Sequence, residues 1–217
     1  MTNIPIVVPD DLILQLRKLI PKRRLTYGQS RIIAQIQALR LRKLLGKLPT
    51  RLPLDWIERI PNVSVTLLTG DEMEELTKSP GASGATDIRK DGSYRIYINE
   101  SNSSTHCRFT LCHELYHVIT GPFESEIFSD FGHGDQELHD RRVEHVADHF
   151  AANLLMPKSL VKHAWGLPIQ DRDKLAAYFG VSEDAMRIRL ITVGLIRSGM
   201  TKNMFYRRPQ MVAAGTN

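Results

Sequence analysis

Cysteines, aromatic residues and long apolar runs are all scarce in this chain. Two cysteines, Cys107 and Cys112, occur among 217 residues, which is too few for a disulfide framework or a zinc ribbon. No apolar run is long enough to span a bilayer, and the first residues, MTNIPIVVPDDL, lack the basic segment of a signal peptide. With 42% hydrophobic and 24% charged residues, the composition predicts a soluble globular protein of the reducing cytoplasm, without a membrane partner.

Acidic residues are nearly absent from the first quarter of the chain. Residues 1–51 contain eleven Lys or Arg, and Asp10 and Asp11 are their only acids, so their net charge is +9 and that of the remainder is −4. Such a segment is either a solvated face of packed helices or a surface that attracts nucleic acid or an acidic protein. No base-reading motif accompanies the charge, which favours the solvated face and keeps DNA contact as the alternative.

Two helices are predicted within this basic segment. Asp10 or Asp11 can cap the first helix, and Thr26 can cap the second. The apolar residues of the second helix should form its buried stripe, and they are Ile32, Ile33, Ile36, Leu39 and Leu44. We therefore expect residues 1–51 to be a helical N-terminal extension.

The most informative stretch is residues 108–120, RFTLCHELYHVIT. It contains the pattern H-E-x-x-H at His113, Glu114 and His117, among apolar residues that suit a buried helix. Positions four apart share one face of a helix, so both imidazoles can bind one divalent cation, and zinc suits them best. Glu114 lies about 100° round the helix and can act as the general base, as in metalloproteases.

A catalytic zinc site of this kind needs a third protein ligand. The layout H-E-x-x-H-x-x-G-x-x-H is excluded, because Thr120 and Phe123 stand where it requires Gly and His. The other layout takes a glutamate from a second helix, and the helix predicted over residues 138–155 offers Glu144. Asp148 shares the face of Glu144 and can accept a hydrogen bond from a ligand histidine.

A rival histidine pair lies on the same predicted helix. His145 and His149 are also four apart and could form a second metal pair or contact a substrate oxyanion. Their simpler interpretation is a solvated helix face. Glu144 is preferred as the ligand, because the rotation from residue 144 to 145 turns the neighbouring side chain away from the first pair.

The segments RFTLCHELYH and E-x-x-A-D-x-F-A-A-x-L-L-M-P together resemble the ImmA/IrrE family of bacterial and phage zinc metallopeptidases. The resemblance covers about residues 63–195. It implies zinc ligation of the gluzincin type by His113, His117 and Glu144, with Glu114 as the catalytic base. It also implies a protein substrate, namely a helix-turn-helix repressor or an antitoxin-type regulator encoded nearby.

Two residues depart from the family pattern. Tyr116 stands where the family usually has a small residue, and from there it could narrow the cleft. Cys112 stands where the family often has Ala, and it is better explained as a small buried apolar residue than as a reactive thiol. Neither departure removes a ligand.

Strand signals precede the metal-binding helix. Residues 63–68 are rich in β-branched residues, and Asp91-Gly92 between two extended segments predicts a hairpin. The strand over residues 93–99 could hold substrate along a free edge, or it could be an interior strand. Tyr97 in this strand is a further candidate for substrate contact, and residues 121–134 are a candidate mobile lid.

The predicted fold class is α+β. We expect a zincin-like core with a small sheet and the active-site helices in residues 52–165, and a helical, helix-turn-helix-like C-terminal segment with a tail in residues 166–217. Residues 171–196 resemble a helix-turn-helix, although Arg189 falls where that motif prefers an apolar residue. They support a second functional hypothesis, a DNA- or protein-binding regulator (a toxin–antitoxin component) with a structural or vestigial metal.

Overall fold

The computed structural model describes residues 6–167 and 170–197. The helices are α1 (Leu12–Arg17), α2 (Tyr27–Leu44), α3 (Gly70–Thr77), α4 (Ser104–Thr120), α5 (Glu124–Ile127), α6 (Gln136–Leu155), α7 (Lys158–Gly166), α8 (Arg172–Phe179) and α9 (Glu183–Thr192). The strands are β1 (Val63–Leu68), β2 (Gly84–Ile88) and β3 (Tyr94–Asn99), and short 3₁₀ helices cover Ile57–Arg59 and Gly121–Phe123. The α+β fold class is thereby confirmed. No helix in the described ranges is long and apolar enough to cross a membrane.

The three strands form one small sheet in the order β1-β3-β2. The Asp91-Gly92 hairpin is confirmed: β2 pairs antiparallel to β3, and Gly92 has a φ of 80° that favours glycine. β1 runs parallel to β3 on its other side. β3 is therefore the central strand, so of the two alternatives the interior strand is confirmed and addition of substrate to its edge is excluded. In the described part of the chain, the free edge beside α4 belongs to β2.

Helix α2 buries a different face from the one expected. Ile32, Ile36 and Leu39 are 61%, 47% and 42% exposed, whereas Ala34 and Ala38 are fully buried. Thr26 does cap the helix, in a reciprocal pair with the Gln29 side chain. The apolar stripe did not predict the buried face, because α2 packs closely along α6. Small side chains permit that close approach.

The N-terminal helices are joined to the rest of the chain by polar contacts as well. Arg17 donates from Nη2 to Tyr94 Oη at 2.6 Å and to the Val118 carbonyl at 2.8 Å, and from Nε to the Ile119 carbonyl at 3.2 Å. A guanidinium at this position satisfies carbonyls at the C-terminal end of α4. Buried apolar residues from Leu12 to Ile196 belong to one core cluster, and the domain boundaries at residues 51 and 165 stay predictions.

Residues 121–134, the candidate lid, are partly anchored in the core. They contain the 3₁₀ helix Gly121–Phe123 and α5, and they bury Ile127, Phe128 and Phe131. The rings of Phe128 and Phe131 lie 4.7 Å apart. Anchoring of this kind by aromatic side chains holds the segment against the core, and its movement as a lid stays a prediction.

Residues 171–196 form two helices joined at Gly180, whose φ is 67°. Arg189 on α9 is only 4% exposed, and it donates to the Met156 carbonyl and to Asn153 Oδ1, both at 2.8 Å. These bonds explain how an arginine occupies a buried position. They also tie α9 to the C-terminal end of α6.

Candidate metal centre and cleft

Helix α4 carries the H-E-x-x-H residues along the boundary between the core and a cleft. Ser103 caps the helix by accepting a hydrogen bond from the His106 amide at 3.3 Å. One face of α4 is buried and consists of Cys112, Leu115, Tyr116, Val118 and Ile119. The other face lies against α6 and β2, where His113, Glu114 and His117 meet side chains from both elements.

Three side chains that can ligate a metal converge where α4 meets α6. His113 Nε2 and His117 Nε2 are 3.2 Å apart. Glu144 places Oε2 at 3.0 Å from the first nitrogen and Oε1 at 3.6 Å from the second. Ligands placed tetrahedrally about 2.1 Å from a zinc ion lie about 3.4 Å from one another. The three observed separations fit that geometry, and this group can hold a metal ion.

The far side of each imidazole faces a carboxylate. His113 Nδ1 lies 2.9 Å from Asp148 Oδ1, and His117 Nδ1 lies 3.1 Å from Glu124 Oε1. The Thr120 hydroxyl donates to the same Glu124 oxygen at 2.8 Å. Such partners fix the tautomer so that Nε2 is free for a metal. Sequence reasoning identified Asp148 and missed Glu124.

The electrostatics of the group favour a cation. Burial lowers the pKa of His113, but hydrogen bonds to Asp148 and Glu144 outweigh burial and raise that pKa to about 10. The Glu144 pKa is lowered, mainly by its hydrogen bond to His113. The carboxylates thus stabilise positive charge between the imidazoles, whether a proton or a metal ion supplies it.

Glu114 is buried beside this group, with 7% of its surface exposed. Burial raises its pKa, against the opposing effects of His117, His113 and a hydrogen bond from Thr86. That bond joins Thr86 Oγ1 to Glu114 Oε2 at 2.8 Å. A carboxylate with a raised pKa, fixed by a donor, is suited to accept and return a proton.

Strand β2 comes close to Glu114 because it begins with glycine. A Cβ on Gly84 would lie 2.5 Å from Thr110 Cγ2 and 2.8 Å from Glu114 Oε1. Neither distance is compatible with a side chain, so the strand needs glycine for this approach. Gly84 and Thr86 went unrecognised in the sequence. An extended segment with a glycine ahead of the H-E-x-x-H helix was the available signal, but the contact depends on sheet register.

Two clefts flank the metal-binding group. The larger has a volume of about 750 Å³ and lies between α2, α4, α6 and α9. The smaller, of about 500 Å³, lies between β2, α5 and the first half of α6. Gly84, Glu114 and Glu144 line both clefts. A polypeptide can therefore lie across the group with chain on either side.

The remaining candidate residues, His145, His149 and Tyr97, differ in whether they line a cleft. His145 and His149 line the larger cleft, and neither belongs to the metal-binding group. Tyr97 lines neither cleft, because it alternates with the buried Ile96 and Ile98 and so lies on the sheet face away from α4. The structure does not bring Tyr97 to the site.

The two residues that depart from the family pattern, Tyr116 and Cys112, are both buried in the core. Tyr116 is 1% exposed and packs on Phe150, with ring centroids 5.2 Å apart. It lies outside both clefts, so the expectation that it narrows the cleft is corrected. Cys112 is fully buried, which raises its pKa to about 12 and keeps the thiol protonated.

Comparison with protein families agrees with this geometry. A model of the family Peptidase_M78, described as the IrrE N-terminal-like domain, matches residues 73–191. The match covers more than half of the chain. The chain therefore belongs to the IrrE N-terminal-like peptidase family, which confirms the resemblance drawn from the two motifs.

Among solved structures, the fold is similar to that of a Mycobacterium tuberculosis transcriptional regulator. The TM-score is 0.52 at 16% sequence identity, and the match covers 83% of this chain and 51% of that one. The chain thus spans about half the length of that regulator, and at this identity the likeness concerns the fold alone. A comparison with curated proteins gave no match.

Proposed function

We propose that this chain is a zinc-dependent endopeptidase of the gluzincin type. His113, His117 and Glu144 would hold the ion, and Glu114 would be the catalytic base. The observation that carries the proposal is the set of ligand-atom separations, 3.2, 3.0 and 3.6 Å, beside a buried glutamate. Two imidazoles and one carboxylate are a ligand set of catalytic zinc sites, in which the fourth position stays open.

Each residue of the site has a separate task in this proposal. A zinc ion held there supplies Lewis-acid chemistry, which polarises a peptide carbonyl and makes a water molecule more acidic. Glu114 accepts the proton of the attacking water and returns it to the leaving amine. Asp148 and Glu124 hold the two imidazoles in the required tautomer. Thr86 keeps the Glu114 carboxylate directed at the cleft.

We propose that the substrate backbone binds along the free edge of β2. β2 pairs only with β3 among the described strands, and its residues Gly84 and Thr86 lie against Glu114. A polypeptide added to this edge gains main-chain hydrogen bonds that position one carbonyl over the metal-binding group. The clefts on both sides favour cleavage within a chain over removal of a terminal residue.

The proposed substrate is a helix-turn-helix repressor or an antitoxin-type regulator in the cytoplasm. Membership of the IrrE N-terminal-like peptidase family supports a protein substrate. The fold-level likeness to a transcriptional regulator is compatible with such a setting. Cleavage of a repressor would switch on the genes that it controls.

Glu114→Gln tests this function, because it removes the proton acceptor and keeps the shape of the side chain. The variant should bind zinc as the unmodified chain does and should no longer cleave a co-purifying regulator, as measured by mass spectrometry of fragments. Glu75→Gln on α3 is the matched control, because Glu75 is exposed and lines neither cleft. Full cleavage by Glu114→Gln would refute the proposal.

The second candidate is a DNA- or protein-binding regulator with a structural or vestigial metal. The net charge of +9 over residues 1–51 favours it, since phosphate contacts depend on Lys and Arg. Against it, Asp184 and Ile188 of α9 line the larger cleft, together with the N-cap residue Ser182. A DNA shift assay over a salt series tests this second candidate, because the affinity of a DNA-binding chain for DNA falls steeply as the salt concentration rises.

A further inference from the structure

The larger cleft extends well beyond the metal-binding group. Its far end lies between α2, the second half of α6 and α9, and the residues that line it there include Tyr27, Arg31, His145, His149, Asp184 and Ile188. Residues 73–191 match the family model, so the wall formed by α2 comes from outside the matched region. One wall of the far end of the cleft therefore lies outside the residues that match the family model.

Charge changes sign along this cleft. Carboxylates surround the metal-binding group, whereas Arg31, His145 and His149 line the far end. The acidic residue lining the far end is Asp184, whose side chain is 84% exposed and lies 3.5 Å from Arg187 Nε. Burial and the charges of Arg31 and Arg189 lower the pKa of His149 to about 4, so His149 is neutral at pH 7.

Arg31 is available to a ligand. It is half-buried, and its guanidinium carbon lies 5.7 Å from the centre of the Tyr27 ring. No carboxylate or carbonyl within the described ranges bonds to Arg31. Arg189, by contrast, already donates to the Met156 carbonyl and to Asn153 Oδ1. A cation–π contact of this kind leaves the N–H donors of a guanidinium free for a ligand.

We propose that the far end of the larger cleft binds a carboxylate of the bound polypeptide through Arg31. The ligand is an acidic side chain of the substrate or its C-terminal carboxylate, held by paired hydrogen bonds from the guanidinium. Tyr27 and Ile188 provide apolar surface for the carbon chain beside that carboxylate. The inference rests on the proposed function, and it names the substrate feature that the peptidase selects.

The test uses the full chain loaded with zinc and three peptide mixtures. One position is fixed as Glu, Gln or Lys, and the others are randomised, with mass spectrometry locating each cleavage. We expect one subsite at which Glu exceeds Gln. Arg31→Gln should lower that Glu-to-Gln ratio about tenfold, as expected for one lost ion pair of about 1.4 kcal/mol. Arg31→Lys should restore part of it, because the charge returns without the planar fork.

Lys43→Gln is the matched control, because it removes an exposed charge from the same helix outside the cleft. It should leave the ratio unchanged. Repeating the series with amidated peptides separates the two carboxylate sources. Weaker cleavage of amidated peptides than of peptides with a free C-terminus, abolished by Arg31→Gln, assigns the carboxylate to the chain terminus; a Glu-over-Gln preference that persists in amidated peptides assigns it to a side chain. Equal use of Glu and Gln at every position together with equal use of free and amidated C-termini, or an Arg31→Gln variant that keeps the observed preference, overturns the inference.

A second readout separates this inference from the proposed function. Fluorescence anisotropy measures binding of labelled Glu and Gln peptides to zinc-loaded Glu114→Gln protein, with and without Arg31→Gln. If the unmodified chain cleaves no peptide while Glu peptides still bind more tightly through Arg31, the peptidase proposal fails and the carboxylate subsite stands. If peptides are cleaved without an Arg31-dependent preference, the peptidase stands and the subsite fails.

Discussion

Thr86 Oγ1 donates a 2.8 Å hydrogen bond to Glu114 Oε2. The bond joins the edge strand β2 to the H-E-x-x-H helix, and it stabilises the charged form of a glutamate whose pKa burial raises. The strand proposed to bind the substrate, β2, is thus hydrogen-bonded directly to the residue proposed to transfer the proton, Glu114.

Thr86→Val tests this coupling, because valine keeps the shape of threonine and removes the donor. The pKa of Glu114 should rise when the bond is lost. The acid limb of the profile of kcat/KM against pH should therefore move to higher pH, with kcat about tenfold lower and zinc content unchanged. Thr66→Val on β1, at the other side of the sheet, is the control. An unmoved acid limb in Thr86→Val would contradict the coupling.

Asp148→Asn and Glu124→Gln test the carboxylates behind the imidazoles. Each variant should weaken zinc binding about 10- to 100-fold in a competition titration with a chelator. Glu137→Gln on α6 is the control, because that side chain is 86% exposed and pairs only with Arg141 within the described ranges. Wild-type zinc affinity in both test variants would show that neither carboxylate positions a ligand.

Gly84→Ala tests the close approach of β2 to Glu114. The added Cβ meets Thr110 and Glu114 at 2.5 and 2.8 Å, so the variant should lose about 1–3 kcal/mol of unfolding free energy and most of its activity. Gly28→Ala is the paired control, since its Cβ meets nothing within 4 Å and lies within α2. It should be neutral or slightly stabilising in thermal unfolding. Equal stability of the two variants would argue against the predicted clash.

His149 predicts a pH dependence of stability. Its pKa in the folded chain is lowered to about 4 by burial, Arg31 and Arg189, whereas an unfolded histidine titrates near pH 6.5. Between these values the unfolded chain binds the extra proton, so stability should fall as pH drops from about 6.5 to about 4. His149→Gln should flatten that decline in urea unfolding measured across the window. An identical slope in the variant would exclude this cause.

The metal-binding residues were predictable because side chains that can ligate a metal, or support a ligand, recur four residues apart on predicted helices. His113 and His117 stand four apart, and Glu144 and Asp148 stand four apart on a second helix, so each pair shares a face before any tertiary contact is known. The hairpin at Asp91-Gly92 is equally local. The meeting of the two helices was supplied by the family pattern rather than by the periodicity of either one.

The site contacts that the sequence did not predict depend on tertiary packing. Thr86 reaches Glu114 only because β2 pairs with β3 in the observed register, and Glu124 reaches His117 because the 3₁₀ helix Gly121–Phe123 continues helical backbone beyond the end of α4. In α2 the apolar pattern misled, because close packing on α6 selected Ala34 and Ala38 over the larger Ile32 and Ile36. Arg31 gained its position in the cleft from that same packing.

The most direct measurement is anomalous diffraction at the zinc absorption edge from crystals of the zinc-loaded chain. We expect one strong peak about 2.1 Å from His113 Nε2, from His117 Nε2 and from a Glu144 carboxylate oxygen, with Glu114 beside it and unligated. A peak at another site, or a zinc ion held by the two histidines with Glu144 turned away, would contradict this expectation.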